Sequence, residues 1–232
     1  MPPIPRLRSL RFAFCLATTA AALGQAPAVA ADKFSRPEIP LPPARSADYV
    51  GIYQINARVR FTIIKDGGGR LQGRLTGQRF LALIHAGGDE FVIPSVQVDV
   101  LFGRSRSGHI NTVMIFQKGV QVQGTITDDA VPTVIFVPAA QLAQYEGEYL
   151  FPDGTACKVV VVNGWLYGQV ADDRAYPLTT DAKDHFIVDD GPAGIAFERN
   201  RAGVITELAL ERNGQVTHLP KAPLEATQKA AP

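Results

Sequence analysis

The residues of this chain that could do chemistry are few and scattered. The four histidines, His85, His109, His185 and His218, stand apart in sequence. None belongs to a His-x-His, His-Glu-x-x-His or Cys/His pattern, so the sequence predicts no metal centre and calls for no cofactor. No serine is followed three residues later by lysine, the spacing that sets a base one helical turn from a nucleophile, and Gly-x-Ser-x-Gly is also missing. Asp172-Asp173 and Asp189-Asp190 are adjacent carboxylates, but both lie in turn-like surroundings that suit solvated loops better than a glycosidase pair. No Gly-rich phosphate loop joins a strand to a helix. What does concentrate is positive charge. Arg58, Arg60, Arg70, Arg74 and Arg79 fall within one short stretch and form the candidate surface for an anionic ligand or a partner.

The elements that must carry these residues come in two copies. Tyr49-Val50-Gly51-Ile52-Tyr53 recurs 96 residues later as Tyr145-Glu146-Gly147-Glu148-Tyr149. After one deletion the offset is 95, and 71–125 against 166–220 shows 12 identities in 55 positions. These fall on structural punctuation: Leu71, Gly73, Leu83, Asp89, Phe91, Phe102, Arg104, Gly108 and Gly119 each have a counterpart. Within each copy the apolar period is two, as in Val100-x-Phe102 and Ile195-x-Phe197. Turn signals such as Lys118-Gly119, Asn163-Gly164 and Asn213-Gly214 divide the runs into six to eight short strands. The expectation is all-β: two small up-and-down antiparallel barrels of about eight strands in tandem, closed so that no sheet edge is left open. A short helical turn is expected at 138–144, leading into the second tyrosine motif. The paired tyrosines are expected to close each barrel, with Asp89/Arg104 and Asp184/Arg199 as repeated ion pairs. Cys157 occupies the position that Phe61 holds in the first copy, which points to a buried strand site rather than a reactive thiol.

The ends of the chain suggest an address. Arg6, Arg8 and Arg11 precede an apolar run from Phe12 to Leu23, and Ala28-Val29-Ala30 offers a signal-peptide cleavage site. That run is too short to span a bilayer, and no later segment is long and apolar enough. The expected organisation is a signal peptide at 1–30, a linker at 31–38, repeat 1 at 39–125, a linker at 126–134, repeat 2 at 135–220 and a disordered tail at 221–232. The protein is then periplasmic or secreted. The net charge of +1 becomes −2 without the signal arginines, which argues against nucleic acid as a partner. The copies differ in sign. Residues 39–125 carry ten Lys and Arg against five Asp and Glu, whereas 135–220 carry six against twelve.

Each copy resembles the small accessory domain that follows penicillin-recognising, β-lactamase-related serine hydrolases. The resemblance rests on the proline-bearing lead-in, Tyr145-Glu146-Gly147-Glu148-Tyr149, Leu166, Asp184-His185-Phe186, Phe197-Glu198-Arg199, Gly203 and Gly214, together with their counterparts in the first copy. It implies a lipocalin-like, eight-stranded barrel and an accessory role. The catalytic residues of the hydrolases themselves have no counterpart here, so no active-site residue carries over. The expected function is therefore that of an exported, non-catalytic accessory or binding protein with a protein partner in the cell envelope, such as a serine hydrolase. A lipocalin-like carrier of a small apolar or anionic ligand is the alternative, and a hydrolase with an unrecognised site is the third reading.

Overall fold

A computed structural model describes residues 37–188 and 193–223. The expected signal peptide, most of the first linker, the Asp189-Asp190 pair and the tail from Leu224 lie outside these residues. The regular structure among the described residues is β apart from brief helical turns. No helix among the described residues is long and apolar enough to cross a membrane.

The first copy forms β1 (Gly51–Asn56), β2 (Val59–Lys65), β3 (Leu71–Leu75), β4 (Leu81–Ala82), β5 (Ile84–Gly87), β6 (Glu90–Ile93), β7 (Val98–Arg104), β8 (Ile110–Gln117) and β9 (Val120–Ile126). The second forms β10 (Gly147–Leu150), β11 (Ala156–Val162), β12 (Trp165–Val170), β13 (Tyr176–Ala182), β14 (His185–Val188), β15 (Ala193–Arg199), β16 (Ile205–Arg212) and β17 (Gln215–Pro220). Every pairing is antiparallel, and each copy is an up-and-down, nearly closed barrel, of nine strands and eight respectively. The ninth strand is a bend rather than an addition. β4 and β5 occupy one run, broken at Leu83, whose amide donates to the Leu71 carbonyl at 3.0 Å. β13 covers the same stretch of the second copy unbroken and pairs on both sides.

Alternation explains which residues turn inward. Val98, Val100 and Phe102 on β7 are buried while Asp99 and Leu101 are half-exposed, and β15 repeats this with Ile195 and Phe197. Two-residue hairpins of type I′ need positive φ at both central positions. Asn163-Gly164 and Asn213-Gly214 supply it, with φ of 51° and 78°, and of 53° and 73°.

Each barrel closes where its first strand meets its last. In the first copy Tyr53 pairs with Ile126, and the Thr127 amide donates to the Ile52 carbonyl at 2.8 Å. In the second, Tyr149 pairs with Lys221, and the Ala222 amide donates to the Glu148 carbonyl at 2.8 Å. Pairing thus runs one or two residues past the expected repeat ends, and Lys221 and Ala222 belong to the barrel rather than to a tail. A chain needs these last contacts because an unpaired edge leaves backbone donors unsatisfied.

Helical turns α1 (Pro43–Ser46) and α2 (Ala139–Leu142) each continue into a 3-10 turn that ends on Tyr49 or Tyr145. The segments before them strap onto the barrels at matching points. The Ile39 amide donates to the His85 carbonyl at 3.0 Å, and the Ile135 amide to the Thr180 carbonyl at 2.7 Å.

Apolar side chains cluster inside each barrel. Tyr49, Tyr53, Phe91 and Phe102 pack with ring centroids 4.8 to 5.7 Å apart in the first barrel. Tyr145, Tyr149, Phe186 and Phe197 repeat the arrangement at 4.8 to 5.6 Å in the second. Small barrels have room for little beyond such a core.

Candidate functional site

The groups that look most chemical are the repeated polar nodes. The Tyr49 hydroxyl donates to Asp89 Oδ1 at 2.7 Å, and Arg104 grips the same carboxylate through Nε and Nη2 at 2.8 to 3.1 Å. Arg104 Nη1 donates to the Gly108 carbonyl at 2.7 Å. Around Asp184 the pattern returns: Tyr145 donates at 2.8 Å, Arg199 at 2.6 and 2.9 Å, and Arg199 Nη1 reaches the Gly203 carbonyl at 2.7 Å. The hydrogen bonds from Arg104 and Arg199 hold the carboxyls of Asp89 and Asp184 below the usual range. Burial, and then the carboxylate beside each, pushes Tyr49 and Tyr145 up. The inner tyrosines act within their own turn: Tyr53 donates to the Tyr49 carbonyl at 2.9 Å, and Tyr149 to the Tyr145 carbonyl at 2.8 Å. These nodes fasten the entering turn, a hairpin and a strand together. Their donors and acceptors are committed to one another, the arrangement that closes a barrel.

Cys157 pairs in register with Tyr149 as Phe61 does with Tyr53. It is buried, and burial pushes its thiol up to about 11. A thiol so placed is held in its unreactive form at neutral pH.

The histidines sit on separate elements. The His85 ring is buried against the Ile39 and Gly88 carbonyls, and His185 pairs with Asp181 at 2.5 Å. Strand register brings together three groups that the sequence did not: Glu198 pairs with Glu207, and His218 bonds Glu207 from the next strand. Their donor atoms lie within 4.8 Å of one another on the outer face, where they could hold a cation. The signal that could have found them is the register itself, which aligns 198 with 207 and 207 with 220.

The five arginines divide three ways. Arg58 is exposed in the β1–β2 turn, and Arg60 bonds Gln54 at 3.0 Å and pairs with Asp129 at 3.5 Å. Arg74 is withdrawn from the surface at 2% exposure. It donates to Thr179 Oγ1 of the second barrel at 2.7 Å and lies 4.5 Å over the Phe80 ring. Arg70 and Arg79 come together on one cleft of about 830 Å³.

That cleft is built by both copies and the segment between them. Its floor is aromatic: Phe136, in the lead-in of the second copy, sits edge-on between Phe80 (6.3 Å) and Trp165 (5.9 Å). Phe80 is buried, whereas Phe136 remains 36% exposed. The rim carries Asp66, Arg70 and Arg79. Asp66 is spent on its own loop, accepting from the Gly68 and Arg70 amides at 2.9 and 3.0 Å and from Gln72 Nε2 at 3.0 Å. Neither Phe80 nor Phe136 looked functional in sequence, because the cleft arises only where the end of the linker and the lead-in of the second copy meet the first barrel.

No protein-family model and no curated protein matches this chain.

Proposed function

We propose that this chain is a non-catalytic binding protein, exported to the periplasm or secreted, and that it binds through the cleft between its barrels. The observation that carries this reading is the cleft's composition: a partly exposed aromatic floor beside two arginines, contributed by both copies and their linker. Apolar clusters occupy the barrel interiors and their polar nodes are engaged in closure, which favours recognition at the surface. A volume of about 830 Å³ suits a compact group, either free or displayed on a larger partner.

The resemblance to the accessory domains of serine hydrolases supports an envelope protein as the bearer of that group. Affinity capture from an envelope extract tests this directly. The intact chain is expected to enrich a discrete partner, and Phe136→Ala to lose it while remaining folded by circular dichroism. Equal capture by both chains would remove the cleft from the reading.

A further inference from the structure

We propose that the cleft takes a ring-bearing carboxylate, with its anion on Arg79 and Arg70 and its ring against Phe136 and Trp165. This rests on the reading of the cleft as the binding site and names the chemistry of its occupant.

Arg79 is the first reason. It is half-buried, yet its guanidinium makes no hydrogen bond or ion pair among the described residues. The other described arginines with no such partner, Arg58, Arg106, Arg201 and Arg212, are exposed, where water serves them. A guanidinium carries five donors in a planar fork that matches a carboxylate. One half withdrawn from water on a cleft wall is poised for an acceptor that arrives from outside.

The balance of charge sets the size of the anion. Of the ionisable lining residues, Asp66 is negative and Arg70 and Arg79 are positive, leaving one net positive charge. Arg70 uses Nε on Asp66 at 3.3 Å, and its side chain is 75% exposed, so its terminal nitrogens face solvent. Asp66 is 9% exposed and turned into its loop, so it offers little repulsion. A single carboxylate fits this balance; a nucleotide's multiple phosphates would ask for more cations or a backbone cradle.

The aromatic floor sets the remainder. Phe136 and Trp165 meet at 84°, giving two walls at right angles, and Phe136 stays wet although packed on both sides. Such a corner receives the flat face or edge of a ring. Two sources share this chemistry, a sugar acid and an aromatic acid.

The chain reports on its own site, because Trp165 is its single tryptophan. Trp165 emission would be followed in the full chain against glucuronate with glucose as its neutral control, and phenylacetate with 2-phenylethanol as its own. Acetate serves as the anion without a ring. At least one ring acid is expected to give a saturable change, with affinity in about the millimolar range for so small a probe. Its neutral control and acetate are expected to bind at least about tenfold more weakly, the scale of one charge-assisted contact. Whichever acid responds identifies the source. R79Q is expected to remove the preference for the acid and to leave the neutral control unchanged. Since the Arg79 guanidinium has no partner among the described residues, the unfolding midpoint of R79Q should match the parent; R70Q provides a second variant on the exposed rim.

Equal binding of acid and neutral control, or an acid preference that survives both R79Q and R70Q, would overturn the carboxylate assignment. A neutral ring that binds and is lost in Phe136→Ala would leave the cleft as the binding site while removing the anion. No saturable response from either acid overturns the assignment as well, and partner capture sensitive to Phe136→Ala would then show that the cleft reading survives by itself.

Discussion

Asp184 accepts hydrogen bonds from Arg199 at 2.6 and 2.9 Å and from Tyr145 at 2.8 Å, with about a fifth of its side chain exposed. Asp184→Asn keeps the shape and removes the charge that organises both donors. The expected loss is about 1–3 kcal/mol, the range for charge-assisted hydrogen bonds to a partly exposed group. Urea unfolding at pH 7 measures it, and Asp89→Asn should behave alike. The pH dependence follows from the direction of the shifts. Both carboxyls are held below their unfolded value by arginine. Their stabilisation is therefore full above about pH 4, the ordinary aspartate value, and is lost as pH falls through the lower folded value. Asp184→Asn should flatten that acid limb; an unchanged limb would place the acid sensitivity elsewhere. At this scale the sequence was informative where a residue type recurred. Asp184 with Arg199 could be paired from co-occurrence alone, because both sit at repeat-equivalent positions. Arg74 could not be placed: a lone arginine on a strand reads as surface, and only the neighbouring barrel buries it.

Elements that look identical in sequence differ in how much room they leave. Gly73 and Gly168 are repeat-equivalent, both inward on the third strand of their copy. A Cβ at Gly73 would lie 2.6 Å from Leu83 and 2.8 Å from Phe61, whereas at Gly168 the nearest atom is Leu178 at 3.5 Å. Two neighbours differ between the copies: Leu83 stands at 2.6 Å where its counterpart Leu178 stands at 3.5 Å, and a bulky ring is present on one side only. Phe61, which crowds Gly73, is replaced by the much smaller Cys157. Gly73→Ala is therefore expected to cost about 1–3 kcal/mol by overpacking, while Gly168→Ala should fall within about 0.5 kcal/mol of the parent or stabilise it slightly. Gly73→Ala should also cost less in a Phe61→Cys background than alone, a coupling that a double-mutant cycle reads directly. Equal costs at the two glycines would mean that Leu83 and Phe61 both yield freely. Element order and turns were legible here because alternation and Asn-Gly dipeptides act locally. The break at Leu83 was not, since β4 and β5 separate only when strand 3 on one side and strand 6 on the other pull the same run in different directions.

The whole molecule has a property that neither copy has alone. Residues 39–125 are net positive and 135–220 net negative, yet Trp165 of the acidic copy sits on a cleft rimmed by Arg70 and Arg79 of the basic one. The local field at this side chain should therefore carry the sign of the neighbouring barrel. Collisional quenching distinguishes the two fields. In the intact chain iodide should quench Trp165 more effectively than caesium, and the preference should shrink as salt rises past about 0.1 M, where the screening length falls to about 10 Å. Each barrel has its own apolar core, so the second copy can be prepared separately. There the arginine rim is gone and the preference should reverse to caesium. Emission should also shift to the red, because Phe136 loses its packing against Phe80 and leaves the indole wetter. Iodide preference in the isolated copy would show that its own acidic residues do not govern the site. The charge difference between the copies was legible from composition, but its consequence was not. Composition gives each copy a sign; only the crossing of the linker, with Arg74 donating to Thr179 beside it, brings the basic rim of one barrel over the indole of the other.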